Sequence, residues 1–209
     1  MQPLFIQKFL NDIVGNSLAL IVLIGMIISV IYSIVLVIRS SELGDKERVP
    51  RWVIPILCLA GAGVSFYLTY VETTHTPAFC GPVGDCNSVQ QSPYATLWGV
   101  LPVGVLGLSG YIAIGLAWGL SLYSKGVFKY YSAIIMWGLA LVGTLFSIYL
   151  TFLEPFVIGA TCIWCITSAI IITVLLWAST GPTIRASTSL SEDEDSQGTG
   201  AEERYVDDT

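Results

Sequence analysis

Long apolar runs constrain this chain more than any other feature. Five of them are long enough to cross the roughly 30 Å hydrocarbon layer of a bilayer, and they cover residues 14–38, 52–71, 96–123, 130–153 and 156–178. With 54% hydrophobic and only 11% charged residues among 209, the chain has more apolar surface than a soluble core of this size can bury. We predict an all-α, polytopic membrane protein with five transmembrane helices.

The basic residues indicate how the chain is oriented. Five spans place the two termini on opposite sides of the membrane, and eight of the nine Lys and Arg residues fall on one side. These eight are Arg39, Lys46, Arg48, Arg51, Lys125, Lys129, Arg185 and Arg204, and only Lys8 falls on the other side. Basic residues concentrate on the cytoplasmic side. We therefore expect the loop 72–95 and the turn before residue 162 to face away from the cytoplasm.

The acidic residues are concentrated at one end of the chain. Eight of the 15 Asp and Glu residues lie between residues 192 and 208, in a segment that is rich in Ser and Gly and has no apolar periodicity. Such composition is typical of segments that cannot bury enough apolar surface to fold. We predict a disordered, acidic cytoplasmic tail at 181–209.

Four of the five cysteines fall on the outer face of this topology. Cys80 and Cys86 lie in the loop as "FCGPVGDC", and Cys162 and Cys165 lie in "TCIWC" at the start of the last span. Disulfides persist outside the cytoplasm, so both pairs are candidate catalytic residues. Cys58 lies within the second span, where we expect it to be a small buried apolar residue.

The two pairs differ in their expected chemistry. Thr161 is a candidate N-cap of the last helix, which would place Cys162 and Cys165 in its first turn, where the positive end of the helix favours a thiolate. Glycine and proline between Cys80 and Cys86 let that loop fold back so that the two can bond. Two dithiols on one face of a membrane suggest an electron relay.

Other readings of the cysteines stay open at this point. All four could be static, as two structural disulfides in a membrane scaffold or as a four-cysteine zinc site. A relay would need a final electron acceptor, and the sequence contains no haem motif, iron-sulfur spacing or dinucleotide fingerprint. A membrane quinone is then the favoured acceptor, and Thr167 and Ser168, within a turn of Cys165, are candidate contacts for its carbonyl groups.

Three longer motifs make the chain resemble vitamin K epoxide reductase and its prokaryotic homologues. They are "GVSFYLTYVE" in the second span, "CNSVQQSPYATLWGVLPVGVLGLSGY" after the loop pair, and "GTLFSIYLTFLEPFVIGATCIWCITSA" around the C-x-x-C. The resemblance implies a four-helix catalytic bundle at 52–180 that surrounds a quinone. One extra transmembrane helix, within residues 1–51, would precede it.

The resemblance also implies a role for each cysteine. Cys165 would donate to the quinone, with Cys162 as its disulfide partner. Cys86 would exchange with Cys162, and Cys80 would receive electrons from outside. Ser92 matches a serine of the family that lies near the active site.

Further expectations follow from how this chain departs from other family members. Mammalian members carry a tyrosine where this chain has Ala169, which favours quinone reduction over the alternative, reduction of a quinone epoxide. Many bacterial relatives fuse a thioredoxin-like domain after the bundle, whereas this sequence continues into the acidic tail. We therefore expect a separate thioredoxin-like or DsbA-like electron donor. The short loop resembles the prokaryotic form and indicates a prokaryotic plasma membrane.

Overall fold

The computed structural model describes residues 9–10, 12–39, 50, 52–81, 84–97, 99–123 and 127–207, with side chains at all of these except 127, 129 and 189–207. Several basic residues on which the predicted orientation partly depends lie outside these ranges. They are Lys8, Lys46, Arg48, Arg51 and Lys125.

The structure is predominantly helical. In chain order it contains α1 (Ile13–Ile38), α2 (Val53–Thr74), the short α3 (Cys86–Gln90), a 3₁₀ turn (Pro93–Ala95), β1 (Thr96–Leu97), β2 (Leu101–Pro102), α4 (Val103–Tyr123), α5 (Val127–Leu153), a π-helical turn (Glu154–Ile158) and α6 (Ile163–Asp207). Five of the described helices are long and apolar enough to cross a membrane. The prediction of an all-α polytopic membrane protein is confirmed.

The long helices pack as a bundle with one addition. Helices α2, α4, α5 and α6 contact one another around the core, and α1 packs against α5 and α6. Apolar side chains such as Ile21, Leu59, Leu116 and Ile135 point outward and are more than half exposed, as expected for a surface that faces lipid rather than water.

Two apolar clusters fill the interior at different heights. One cluster includes Cys58, which is free and 6% exposed, together with Ile114, Ala140 and Leu175. The predicted role of Cys58 as a small buried apolar residue is confirmed. The second cluster lies at the other end of the bundle and holds the other four cysteines.

The third and fourth spans differ from the sequence prediction at the ends that lie near the four paired cysteines. The third was expected to begin at residue 96, but Thr96–Leu97 and Leu101–Pro102 form a short antiparallel ribbon in which Thr96 pairs with Pro102, and α4 begins only at Val103. The fourth was expected to end at residue 153. It continues instead as a π-helical turn to Ile158 and stops at Gly159, whose φ of 83° is in the left-handed region that glycine tolerates.

The last helix also extends beyond its predicted end. The segment 181–209 was expected to be disordered, whereas α6 continues past Pro182 to Asp207. Tertiary contacts stabilise the part just after the proline: Thr183 and Ala186 are each 2% exposed, and the Thr183 hydroxyl donates to the Ala133 carbonyl oxygen of α5 at 3.0 Å.

Candidate active site

The loop cysteines are held together by a short capped helix. Cys80 and Cys86 form a disulfide with their Cα atoms 5.9 Å apart. Cys86 is the first residue of α3, and Asp85 caps this helix by accepting a hydrogen bond from the Ser88 backbone N–H. Hydrogen bonds from the Ser88 hydroxyl and backbone lower the pKa of Asp85 below its usual value, as expected for a carboxylate that caps a helix. The loop pair is therefore built on an ordered element.

The C-x-x-C pair lies at the start of α6, in a slightly different register from the prediction. The helix begins at Ile163, so that Cys162 directly precedes it. Thr161 does not cap the helix, because its hydroxyl donates to Asn16 Oδ1 at 2.9 Å. Cys162 is fully buried, and its backbone N–H donates to Glu154 Oε2 at 3.2 Å. This contact with Glu154 holds the residue at which the chain enters α6.

The thiol of Cys162 is the one prepared to ionise. A hydrogen bond from the Cys165 side chain lowers the pKa of Cys162, outweighing the burial that acts in the opposite direction, and the Gln90 side chain contributes further. A thiol with a lowered pKa is both a stronger thiolate source and a better leaving group in disulfide exchange.

Gln90 connects the two cysteine pairs. It lies four residues after Cys86 on α3, and its Nε2 group donates to Cys162 Sγ at 3.8 Å and to Cys165 Sγ at 3.6 Å. Its Oε1 atom is buried and makes no hydrogen bond to any described residue. A buried acceptor of this kind is costly unless something donates to it, so this atom is available to a bound molecule.

Trp164, between the two cysteines of the C-x-x-C, anchors the segment that precedes Cys80. Its Nε1 group donates to the Phe79 carbonyl oxygen at 2.9 Å, and the Phe79 backbone N–H donates to the Tyr67 hydroxyl at 2.8 Å. The rings of Tyr67 and Trp164 pack with their centroids 4.7 Å apart. The backbone on the N-terminal side of Cys80 is thus fixed to both α2 and α6.

The segment that precedes Cys86 is also fixed to the C-x-x-C. The Asp85 backbone N–H donates to the Thr161 carbonyl oxygen at 3.0 Å. Gly84 passes so close to that oxygen that an added Cβ atom would clash with it, and its φ of 87° is in the left-handed region. Only glycine suits this position, which lets the loop lie directly against the residue before Cys162.

A cavity of about 590 Å³ opens beside one cysteine of the C-x-x-C. Its wall is mostly apolar and includes Leu68, Ile114, Val142, Phe146 and Ile172. Of the four redox cysteines, Cys165 lines the cavity and the other three do not. The volume lies in the range of small-molecule sites, about 300–1,000 Å³.

A few polar groups reach this apolar cavity. Tyr111, 3% exposed, donates to the Ser168 carbonyl oxygen at 2.9 Å and lies 3.0 Å from the Ser168 hydroxyl. Glu72 accepts from the Gly104 backbone N–H at 2.9 Å. Glu154, 2% exposed, lines the same space. In the part of the chain that the structure describes, no group of three or more His, Cys, Asp or Glu side chains could hold a metal ion.

The structure brings together most of the residues selected from the sequence. Ser92 and Ser168 line the cavity, as does Cys165. Thr167 does not: it lies on another face of α6, and its hydroxyl donates to the Ile163 carbonyl oxygen at 2.8 Å. Ser168 and Ala169 line the cavity on one side of α6, and Thr167 is not part of that wall.

Several site residues were missed by the sequence analysis. They are Glu72, Gln90, Tyr111 and Glu154. A signal existed for the two acids, because each directly follows one of the predicted apolar runs. Both lie within the membrane-spanning helices of the structure, and ionisable residues at membrane depth are usually functional. No comparable signal distinguished Gln90 from the adjacent Gln91.

Two cysteine pairs at one end of a membrane helix bundle, one of them beside an apolar cavity, are the features of a membrane thiol oxidoreductase. Residues 52–180 match the model of the vitamin K epoxide reductase family. The match spans more than half of the chain, and the chain therefore belongs to this family. The resemblance seen in the sequence motifs is confirmed. Helix α1 precedes the matched region.

Proposed function

We propose that this protein passes electrons from an extracytoplasmic thioredoxin-like or DsbA-like partner through Cys80/Cys86, and then through Cys162/Cys165, to a membrane quinone. The overall reaction oxidises a partner dithiol to a disulfide, reduces the quinone to hydroquinone and supports disulfide formation in exported proteins. One observation carries the proposal: Cys165 borders the apolar cavity, while the Gln90 amide joins its thiol to the helix that begins at Cys86.

Electrons enter at Cys80. This residue is partly exposed beside Phe79, which is 80% exposed, whereas Cys86 is fully buried. A partner thiolate therefore attacks Cys80 Sγ, and Cys86 leaves as a thiolate. The second partner thiol resolves this mixed disulfide, so that the partner becomes oxidised and both loop cysteines become reduced.

The electrons then move between the two pairs of this chain. The Cys86 thiolate attacks Cys162 Sγ in an oxidised C-x-x-C, which forms a Cys86–Cys162 disulfide and releases Cys165 as a thiolate. Cys80 next attacks Cys86 Sγ, restores the loop disulfide and releases Cys162. The lowered pKa of Cys162 favours this release.

The cavity suits the quinone as the final substrate. In the last step the Cys162/Cys165 dithiol gives up two electrons and two protons and becomes a disulfide, and the quinone takes up both. The mostly apolar wall matches an apolar ring. The free Gln90 Oε1 acceptor would accept a hydrogen bond from the hydroquinone hydroxyl, and the Ser92 and Ser168 hydroxyls lie in the same wall.

The helix directions support an extracytoplasmic active face in a prokaryotic plasma membrane. Arg39 follows α1, Lys129 lies in the first turn of α5, and Arg185 lies more than 20 residues after the start of α6. All three are thus at the end of the bundle opposite the redox cysteines. Basic residues favour the cytoplasmic side, so the cysteines would face the other side.

Quinone reduction by the purified protein tests the proposal. The assay follows quinone absorbance with either a reduced thioredoxin-like donor or dithiothreitol as the reductant. We expect Cys162→Ala and Cys165→Ala to abolish turnover with both reductants. We expect Cys80→Ala and Cys86→Ala to abolish turnover with the protein donor and to retain it with dithiothreitol.

Two results would count against the relay. If Cys→Ala variants at all four positions turned over like the wild type, the cysteines would be structural. If the wild type reduced a quinone epoxide but no quinone, the substrate would be the epoxide. Cys58→Ala is the matched control because Cys58 lies in the other apolar cluster, and it should turn over normally.

A further inference from the structure

Helix α1 lies outside the region that matches the family, yet its first turn contacts the redox site. Asn16, in that turn, is fully buried. Its Oδ1 atom accepts a hydrogen bond from the Thr161 hydroxyl at 2.9 Å, and its Nδ2 group donates to the Phe9 carbonyl oxygen at 2.9 Å. Burying a polar amide at membrane depth costs free energy, and these hydrogen bonds offset that cost.

Thr161 is the residue at which the two cysteine pairs meet. It directly precedes Cys162, and its carbonyl oxygen accepts a hydrogen bond from the Asp85 backbone N–H, directly before Cys86. Thr161 is 2% exposed. Its side chain is thus held by α1, while its backbone holds the loop that carries Cys86. A continuous path of two hydrogen bonds joins Asn16 to the segment before Cys86.

The rest of α1 is held independently of Asn16. At the opposite end of the helix, the Ser33 hydroxyl lies 2.8 Å from the Thr180 hydroxyl of α6 and accepts a hydrogen bond from Trp137 Nε1 at 2.9 Å. Nearby, the Tyr32 and Trp177 rings pack with centroids 5.8 Å apart. These contacts anchor the far end of α1 and involve neither Asn16 nor Thr161.

We propose that Asn16 is a positioning residue for the exchange between Cys86 and Cys162. The inference rests on the proposed relay. In this step Cys86 attacks Cys162 Sγ, a sulfur–sulfur bond forms between them, and the Cys162–Cys165 bond breaks with Cys165 leaving as a thiolate. Asn16 contacts none of these atoms. It fixes Thr161, and thereby the distance and direction of approach of the two sulfur atoms.

The physical basis is effective concentration. Exchange between two groups on one chain is fast when the reacting atoms are held in an aligned geometry, and small displacements reduce the rate strongly. If the Thr161 side chain lost its acceptor, the backbone that precedes both Cys162 and Cys86 would sample more conformations. Helix α1 therefore acts on the transfer between the pairs, and not on the chemistry at the quinone.

The test measures the effective concentration of Cys86 toward Cys162 directly. In a Cys80→Ala/Cys165→Ala background only these two redox cysteines remain. Protein in detergent is equilibrated with glutathione buffers, and mass spectrometry quantifies the Cys86–Cys162 disulfide. We expect Asn16→Leu and Thr161→Val to lower the effective concentration about fivefold, as the loss of one hydrogen bond implies. The double variant should be no worse than either single variant.

Three comparisons separate positioning from general loosening of the fold. Thr161→Ser retains the hydroxyl and should behave like the wild type. Ser33→Ala removes buried hydrogen bonds from the same helix at its other end, and it should leave the effective concentration unchanged. In the protein that keeps Cys80, Cys86, Cys162 and Cys165, Asn16→Leu should slow quinone reduction with the protein donor and spare the reaction with dithiothreitol.

The proposal is overturned if Thr161→Val matches Thr161→Ser, or if Ser33→Ala lowers the effective concentration as much as Asn16→Leu. Where Asn16→Leu fails to fold, the comparison of Thr161→Val with Thr161→Ser decides. The glutathione measurement involves no quinone and no partner. A failure of the proposed relay would therefore appear in the wild-type turnover assay, separately from a failure of this inference.

Discussion

The Gln90 Nε2 group lies 3.6 Å from Cys165 Sγ, although 75 residues separate the two in sequence. The same group reaches Cys162 Sγ at 3.8 Å. Because Gln90 and Cys86 belong to one short helix, the loop pair cannot move far without altering the environment of the C-x-x-C thiols. This coupling of the loop to the thiols is the basis of the first prediction.

Replacing Gln90 by leucine should change both thiol ionisation and turnover. The variant keeps the apolar bulk of the side chain and loses both hydrogen bonds to sulfur. We expect the pKa of Cys162 to rise, although the larger stabilisation from Cys165 would remain, and we expect quinone reduction at neutral pH to fall about fivefold. Thiolate absorbance against pH measures the first effect. Gln91→Leu is the matched control, since Gln91 is exposed, and an equal effect there would refute the prediction.

Replacing Trp164 by phenylalanine should loosen the segment before Cys80. The substitution retains an aromatic ring beside Tyr67 and removes the hydrogen bond to the Phe79 carbonyl oxygen. We expect turnover with the protein donor to fall several-fold, about what one hydrogen bond is worth, while turnover with dithiothreitol persists. Trp177→Phe, on the 51% exposed Trp177 of the same helix, should change neither rate. A parallel loss with both reductants would contradict the expected role.

The effect of replacing Glu154 on stability should depend on whether the new side chain can accept a hydrogen bond. Glu154→Leu leaves the buried Cys162 N–H without its carboxylate partner, which costs about 1–3 kcal/mol. Glu154→Gln retains a carbonyl acceptor and should cost clearly less. Thermal unfolding in detergent, with the cysteines kept reduced, measures both variants. Equal stability of the two would mean that the contact at Cys162 contributes little.

Filling the cavity should weaken quinone binding and leave thiol exchange intact. Gly110 lines the cavity, and a Cβ atom added there would meet no other atom within 4 Å. Gly110→Leu therefore places its side chain in free space, and we expect KM for the quinone to rise roughly tenfold, the lower end of what a change of one methylene group contributes in an apolar site. At saturating quinone, the loop disulfide should form at the wild-type rate.

A second glycine on α4 provides the control for that prediction. Gly119 is also free of neighbours around an added Cβ atom, and it does not line the cavity. Gly119→Leu should leave KM unchanged. If both variants raised KM alike, the effect would come from the helix surface and not from the cavity.

Local patterns in the sequence were sufficient to predict the five spans, the grouping of four cysteines at one end of the bundle and the buried state of Cys58. Apolar run length and C-x-x-C spacing are properties of neighbouring residues, and they hold whatever the tertiary contacts are. The disulfide between Cys80 and Cys86 belongs to the same group, because the loop that joins them is short.

Features that depend on distant residues could not be predicted. Thr161 is of a residue type that often caps helices, but its hydroxyl donates to Asn16, which is 145 residues away in sequence. The segment after Pro182 was predicted from its composition to be disordered, but the Thr183 hydroxyl bonds to Ala133 of α5 and helps to hold its first turn as helix. Gln90 and Gln91 are chemically identical, and only the fold directs one of them to the thiols. In each case a tertiary contact outweighed the local preference.

A single-turnover experiment tests the central claim of the relay most directly. The protein is fully reduced, freed of reductant and mixed anaerobically with quinone, and alkylation at successive times records which cysteines are thiols. Two dithiols should yield two equivalents of hydroquinone. The Cys162–Cys165 disulfide should appear first, followed by Cys80–Cys86, and Cys86→Ala should yield one equivalent at the fast rate. Two equivalents from Cys86→Ala, or a loop disulfide that forms before the C-x-x-C disulfide, would contradict the account.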